Sequence, residues 1–208
     1  MIYFLKKLLK IGNIPKRYDQ LFDAVKSIKP INIMEIGVWT GERSRKMILL
    51  ALKFRDDNQI NYYGFDLFET MDEEKFKKEI SKQPPSLLEV ENKLKQISTN
   101  IHLFKGDTLK ILPDVYKNLP KMDLVFIDGG HSLETIDNDW LYVSKLLHRG
   151  SVVIFDDYWP NRTDAGAKET VDSISRLEYH VEILPVTDHF SDTPFGPLTI
   201  QLAKVVKI

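Results

Sequence analysis

Five short apolar runs, each stopped by a carboxylate or a glycine, constrain this chain more than any other feature. They are "INIMEIG" (31–37), "INYYGFD" (60–66), "IHLFKGD" (101–107), "MDLVFIDGG" (122–130) and "SVVIFDD" (151–157). Near-continuous hydrophobicity over so few residues is the pattern of strands buried on both faces. Helical patterns lie between them. "GERSRKMILLALKF" (41–54) turns Met47, Ile48, Leu50, Ala51 and Phe54 inward, and "TLKILPDVYKNL" (108–119) takes Thr108 as its N-cap. "SLETIDNDWLYVSKLLHRG" (132–150) opens on Ser132 and closes on the stop signal Gly150. Strands alternating with helices predict a parallel sheet with helices on both faces. The rhythm breaks after residue 177. "EYHVEILPV" (178–186) and "PLTIQLAKVVKI" (197–208) are strand patterns joined by a Pro/Gly/Asp-rich turn with no helix between them, so they should pair antiparallel. The expected fold is therefore α/β, a seven-stranded, mostly parallel sheet with a C-terminal antiparallel hairpin.

Its 208 residues suit one domain with a sizeable core. We read residues 1–30 as an N-terminal amphipathic helical segment and 31–208 as the main domain. "MIYFLKKLLKIG" is too short and too lysine-rich to span a bilayer, and no small-residue cleavage site follows it. It is expected to dock on this domain or on a second subunit, which favours a homodimer, with a membrane-surface anchor as the sharper alternative. Residues 68–98 are charge-rich and broken by Pro84-Pro85; they read as two helices forming a lid insertion or a solvated connection. The net charge of -1 gives no reason to expect nucleic acid as a partner. The chain has no cysteine, which removes disulfides, thiolate metal sites and a cysteine nucleophile and fits a reducing compartment. With no targeting signal in view, the expected location is cytoplasmic.

In open α/β sheets ligands bind beyond the carboxyl ends of the strands. Every strand of the parallel set brings a carboxylate or a glycine turn to that edge, an arrangement with no packing rationale. After the first strand, Gly37 and Gly41 form a turn into a helix whose N-terminus is electropositive. The spacing is not G-x-G-x-x-G, and Glu35 would repel a pyrophosphate but could hold an ammonium group. Asp66, ending the second strand, is placed to accept hydrogen bonds from ribose hydroxyls. Asp107 and Thr108 would lie near a base edge. The fifth strand ends in adjacent carboxylates, Asp156 and Asp157, which destabilise each other unless something positive sits between them.

Together, "IMEIGVWTGERS", "YYGFDLFE", "FKGDT", "DLVFIDGGHSLETIDND" and "GSVVIFDDYW" resemble the class I S-adenosylmethionine (SAM)-dependent methyltransferases. The likeness is greatest to the branch containing macrocin-type sugar O-methyltransferases and their small bacterial relatives. It covers roughly residues 31–177 and the terminal hairpin. The resemblance implies a Rossmann-like fold and a set of roles. Glu35, Gly37 and Gly41 would line the methionine end of the cofactor, Asp66 the ribose, and Asp107 with Thr108 the adenine. Asp128, Asp156 and Asp157 match the metal ligands of divalent-ion-dependent members, and an oxygen-only set suits Mg²⁺, with Mn²⁺ or Ca²⁺ as substitutes. The implied reaction is metal-assisted methyl transfer to a hydroxyl of a small-molecule or glycan acceptor, a sugar first. His131 is the candidate base. Some sugar-modifying relatives carry an aspartate base where this chain has Gly130, which leaves the base open. Residues 161–172, with Arg162 and Lys168, are candidates for closing over substrate or for surface solvation, and Trp159 for packing or substrate contact. The rival readings are a methyltransferase for a phenolic or other non-sugar acceptor without obligatory metal, an NAD-dependent oxidoreductase, and a binding module without chemistry.

Overall fold

A computed structural model describes residues 15–70, 73, 84–191 and 196–208. The amphipathic stretch 1–14 and part of the expected lid (71, 72 and 74–83) lie outside the described residues. The seven expected strands are β1 (Asn32–Ile36), β2 (Asn61–Asp66), β3 (Ile101–Lys105), β4 (Met122–Ile127), β5 (Leu147–Tyr158), β6 (Tyr179–Phe190) and β7 (Leu198–Lys207). Among the described residues six α-helices accompany them: α1 (Tyr18–Ile28), α2 (Glu42–Ala51), α3 (Leu87–Lys95), α4 (Thr108–Val115), α5 (Leu133–Val143) and α6 (Lys168–Ser173). The sheet order is β3-β2-β1-β4-β5-β7-β6. The first five strands run parallel, while β7 lies antiparallel to both β5 and β6.

The continuous apolar runs divide between two cores because side chains alternate across a strand. Ile33, Leu124, Phe126, Val152 and Ile154 pack with Leu21, Phe22 and Val25 of α1, Met47, Ile48 and Ala51 of α2, and Val90 and Leu94 of α3. Met34, Ile36, Val125, Ile127, Val153 and Phe155 pack on the opposite face with Leu112 of α4, Ile136 and Val143 of α5, and Val171 of α6. Each such fully buried side chain contributes about 1.5–3 kcal/mol relative to exposure.

Three local expectations are corrected. The helix opening at Ser132 ends at Val143, and β5 starts at Leu147, so Gly150 lies inside the strand. Its φ of +89° serves a register shift between β4 and β5, closed by the Ser151 hydroxyl, which accepts from His148 N and donates to Met122 O. The N-cap of α4 is Asp107, whose carboxylate accepts from Leu109 N at 3.1 Å, while Thr108 is the first helical residue. Phe54 lies beyond the end of α2 and is 42% exposed.

The order places β1 beside β4 with α-helical crossovers leaving in opposite directions. That point, where chain direction reverses across the sheet, is where an open α/β sheet has its crevice.

Candidate active site

The carboxyl edge is built from turns that ordinary residues do not adopt readily. Trp39 after β1, Phe68 after β2 and Asp157 near the end of β5 all have positive φ, at 47°, 50° and 54°. Non-glycine residues in this region cost on the order of 1–3 kcal/mol, and they persist where their surroundings over-determine them. Asp66 does this for two of the three: its Oδ2 accepts from Trp39 N at 2.7 Å and its Oδ1 from Phe68 N at 2.9 Å. Burial raises its pKa, and these amide donors work against that rise. Asp66 thus stitches the turn after β1 to the turn after β2 at the half-exposed rim. Gly37 has φ +90°, and a Cβ there would stand 1.9 Å from Asp128 O, so the glycine lets β4 approach β1 closely. Gly41 is the N-cap of α2, with φ +73°.

Glu35 lies beneath this turn rather than on its open side. It is 0% exposed, and its Oε2 accepts from the hydroxyls of Ser44 and Tyr62. Its Oε1 has no hydrogen-bond partner and stands 4.0 Å from Arg43 Nε. Burial pushes this carboxyl up to about 7, against the pull of Arg43, Ser44 and Tyr62. Glu35 therefore supports the turn, and the expected direct contact with a ligand is not its placement. Asp66, Asp107 and Thr108 sit at the ends of neighbouring strands, as expected, Asp107 being half-buried and engaged as a helix cap.

Asp128, Asp156 and Asp157 converge, as the resemblance implied, with one oxygen of each within 4.8 Å of the others. They line a small cavity of about one water's size together with Gly129, Gly130, His131, Ile136 and Ala167. The positive groups among them are side chains. Arg17, at the entry to α1, places Nε 2.8 Å from Asp156 Oδ1 and Nη2 2.9 Å from Oδ2. The Tyr18 hydroxyl donates to the same Oδ2 at 2.5 Å, and Asp157 N donates to Oδ1 at 2.8 Å. Arg43 of α2 forms an ion pair with Asp128 and lies over the Tyr18 and Phe126 rings. Burial raises the pKa of Asp128 well above the carboxylate range, with Arg43 opposing it and the two neighbouring aspartates adding to it.

Asp157 faces a different partner. His131 Nε2 is 2.7 Å from Asp157 Oδ2, and the Trp159 indole N–H donates to Oδ1 at 3.1 Å. Burial would raise this carboxylate, but His131, Arg17 and Trp159 more than offset it and hold it below its ordinary value. The imidazole stacks on Trp159, with centroids 5.4 Å apart. Gly166 N bonds His131 O and Ala167 N bonds Asp157 O, so the segment before α6 is fastened to this pair. Arg162 and Lys168 of that segment are paired with Asp164 and Asp172. Trp159 is 3% exposed and acts as a packing and hydrogen-bonding residue.

A hard divalent ion fits the charge and oxygen chemistry of the aspartate trio, but not its lone pairs. A carboxylate offers about four acceptor positions. Asp156 already receives four donors. A SAM-type cofactor does fit the rim: a carboxylate ends β2, a second carboxylate follows β3, and a turn bracketed by Gly37 and Gly41 precedes α2.

The residues that sequence reasoning missed are Arg17, Tyr18, Arg43 and Asp188. One signal was present. Lys16 and Arg17 precede a helix, where the positive end of the dipole disfavours cations, so an acid from elsewhere had to be waiting.

Residues 34–158 match a family model described as a methyltransferase domain. No curated protein sequence matches the chain. Among solved structures, the O-methyltransferase TomG of Streptomyces achromogenes, involved in tomaymycin synthesis and solved with SAM, has a TM-score of 0.61 at 17% identity, covering 100% of this chain and 95% of that one. The O-methyltransferase of Bacillus cereus, in complex with S-adenosylhomocysteine (SAH), gives 0.61 at 16% identity, with 99% and 87% covered. An rRNA methylase of Streptococcus thermophilus gives 0.63 at 11% identity, with 95% and 99% covered. At these identities the likeness is one of fold. No helix among the described residues is long and apolar enough to cross a membrane.

Proposed function

The chain belongs to the methyltransferase-domain family, and on that premise we propose that it transfers a methyl group from SAM to a hydroxyl oxygen of a small-molecule or glycan acceptor, a sugar hydroxyl first. The observation that carries this reading is the His131–Asp157 pair, 2.7 Å apart beside the cavity at the β4–β5 edge. SAM, when bound, supplies an electrophilic methyl on a sulfonium. The acceptor is the inert party, because an alcohol is almost wholly protonated at neutral pH. His131 removes that proton. Asp157 beside Nε2 is the partner that selects the ring's tautomer and orientation. Asp157 fixes the ring and stabilises the imidazolium that forms, and Trp159 holds Asp157 in turn. Gly37 and Gly41 shape the turn that receives the amino-acid end of the cofactor, Asp66 takes the ribose, and Asp107 with Thr108 lies by the adenine. The preference for a sugar rests on the sequence resemblance, and O-methyltransferase structures of the same fold support an oxygen acceptor.

The test is calorimetric titration of SAH into the wild type and Asp66→Ala. Micromolar binding to the wild type, weakened at least tenfold in the variant, is the expected result. No binding at millimolar SAH, with binding of NAD instead, would overturn the reading in favour of an oxidoreductase.

A further inference from the structure

We infer that Arg17 is the resident counter-ion of the aspartate cluster, and that the cluster works without a divalent cation. Four donors fill Asp156, two of them from Arg17. An ion would therefore have to displace a guanidinium to be ligated there. That guanidinium is not loosely held. Its Nη1 lies 2.9 Å from Asp188 Oδ2 on β6, it is stacked over the Tyr18 ring at 4.4 Å, and its side chain is 7% exposed. Arginine cannot lose its charge in a protein, so the displacement cannot proceed by deprotonation. The second cation, Arg43, has its side chain 16% exposed against Asp128. Three carboxylates thus face two permanent cations and a histidine, and a dication placed among them would be repelled by both guanidiniums at short range.

The placement of Arg17 also gives it a role in positioning. It joins the head of α1 to Asp156 on β5 and Asp188 on β6, elements more than 130 residues away in sequence. Asp156 N-terminal to Asp157 is thereby held still, and Asp157 N is bonded to it. Arg17 is thus a positioning residue for the carboxylate that orients His131. If the methyltransferase reading of the previous section holds, methyl transfer here relies on His131 and Asp157 for proton removal, without ion assistance.

Electron paramagnetic resonance of Mn²⁺ tests this on the full chain, with SAH titration in EDTA run alongside. The wild type should leave equimolar Mn²⁺ free and bind SAH equally with and without EDTA. Arg17→Gln should bind one Mn²⁺ at least tenfold more tightly than the wild type, and Mn²⁺ should raise its melting temperature while leaving the wild type unmoved. One Mn²⁺ held tightly by the wild type overturns the inference, as does a folded Arg17→Gln that gains no affinity. Should that variant fail to fold, the wild-type measurement decides alone. Failure of the methyltransferase reading shows itself separately, as absence of SAH binding in either protein.

Discussion

Asp156 and Asp157 are adjacent in sequence, yet they occupy two different electrostatic worlds. The Asp156 side chain is 0% exposed and saturated by Arg17, Tyr18 and a backbone amide. The Asp157 side chain is 11% exposed and shared between a titratable imidazole and an indole. The positive φ of Asp157 and the break in β5–β7 pairing between Phe155 and Tyr158 separate the two. One carboxylate is neutralised by a cation that never titrates, which makes it a structural fixture. Its neighbour is matched to an imidazole, a group that can take up or release a proton where a guanidinium cannot, and this is the group to which we assign the chemistry. The acidic pair therefore solves its like-charge problem twice, once for stability and once for function.

Removing the reactive partner should have the largest effect. His131→Gln is expected to lower the methyl-transfer rate on an accepted hydroxyl substrate by about 10²- to 10⁴-fold, the usual loss for a general base. On the proposed mechanism, in which His131 faces the acceptor, SAH affinity should change little. A rate within a few-fold of wild type would remove His131 from the mechanism and leave the pair as a structural contact.

Removing the permanent partner should act first on stability. Arg17→Gln leaves Asp156 buried without its counter-ion, and breaking such a pair costs about 3–5 kcal/mol. Urea unfolding monitored by far-UV circular dichroism reads this directly. A loss under about 1 kcal/mol would place the pair among solvent-screened ion pairs and contradict its burial. The two variants sharpen the comparison because His131→Gln should cost rate with little stability, whereas Arg17→Gln should cost stability first and rate only through the loosened Asp156–Asp157 turn.

The difference between the two aspartates also marks where sequence reasoning stops. The sheet was legible because its evidence is local: an apolar run of five or six residues names a buried strand, and Gly-rich or acidic termini name its carboxyl end. The convergence of Asp128, Asp156 and Asp157 was legible for the same reason, since both segments are strand ends in a predictable order. The partners were not. Arg17 and Asp156 are separated by 139 positions, and nothing in "PKRYDQ" encodes which strand end its helix will meet. The resemblance also carries a metal expectation, and our inference sets against it Arg17 and Tyr18, which sequence could not place on the Asp156 oxygens. Gly150 misled for a local reason: a positive-φ glycine ends helices and also relieves strand bulges, and the sequence pattern is the same for both.

Glu35 offers a third environment between these two extremes. It is as buried as Asp156, but its nearest cation is Arg43 Nε at 4.0 Å, too far to bond. Arg43, Ser44, Tyr62 and Asp66 are the groups acting on it, and burial prevails, raising the carboxyl from 4.5 to about 7. In the unfolded chain Glu35 ionises near 4.5, whereas in the folded chain it holds its proton until about 7. Between those values the unfolded state releases a proton that the folded state keeps. Stability therefore falls as pH rises through that window, and the loss levels off above it. At about 1.4 kcal/mol per pH unit the interval corresponds to about 3 kcal/mol. Glu35→Gln keeps an oxygen to accept from Ser44 and Tyr62 but has no proton to lose. Urea unfolding at pH 5 and pH 8 should show the wild type losing about 2.5 kcal/mol more than the variant, since part of the interval lies below pH 5, other titrating groups cancelling in the difference. Equal slopes in the two proteins would mean that Arg43 neutralises Glu35 across the gap, and that this acid belongs with Asp156 after all.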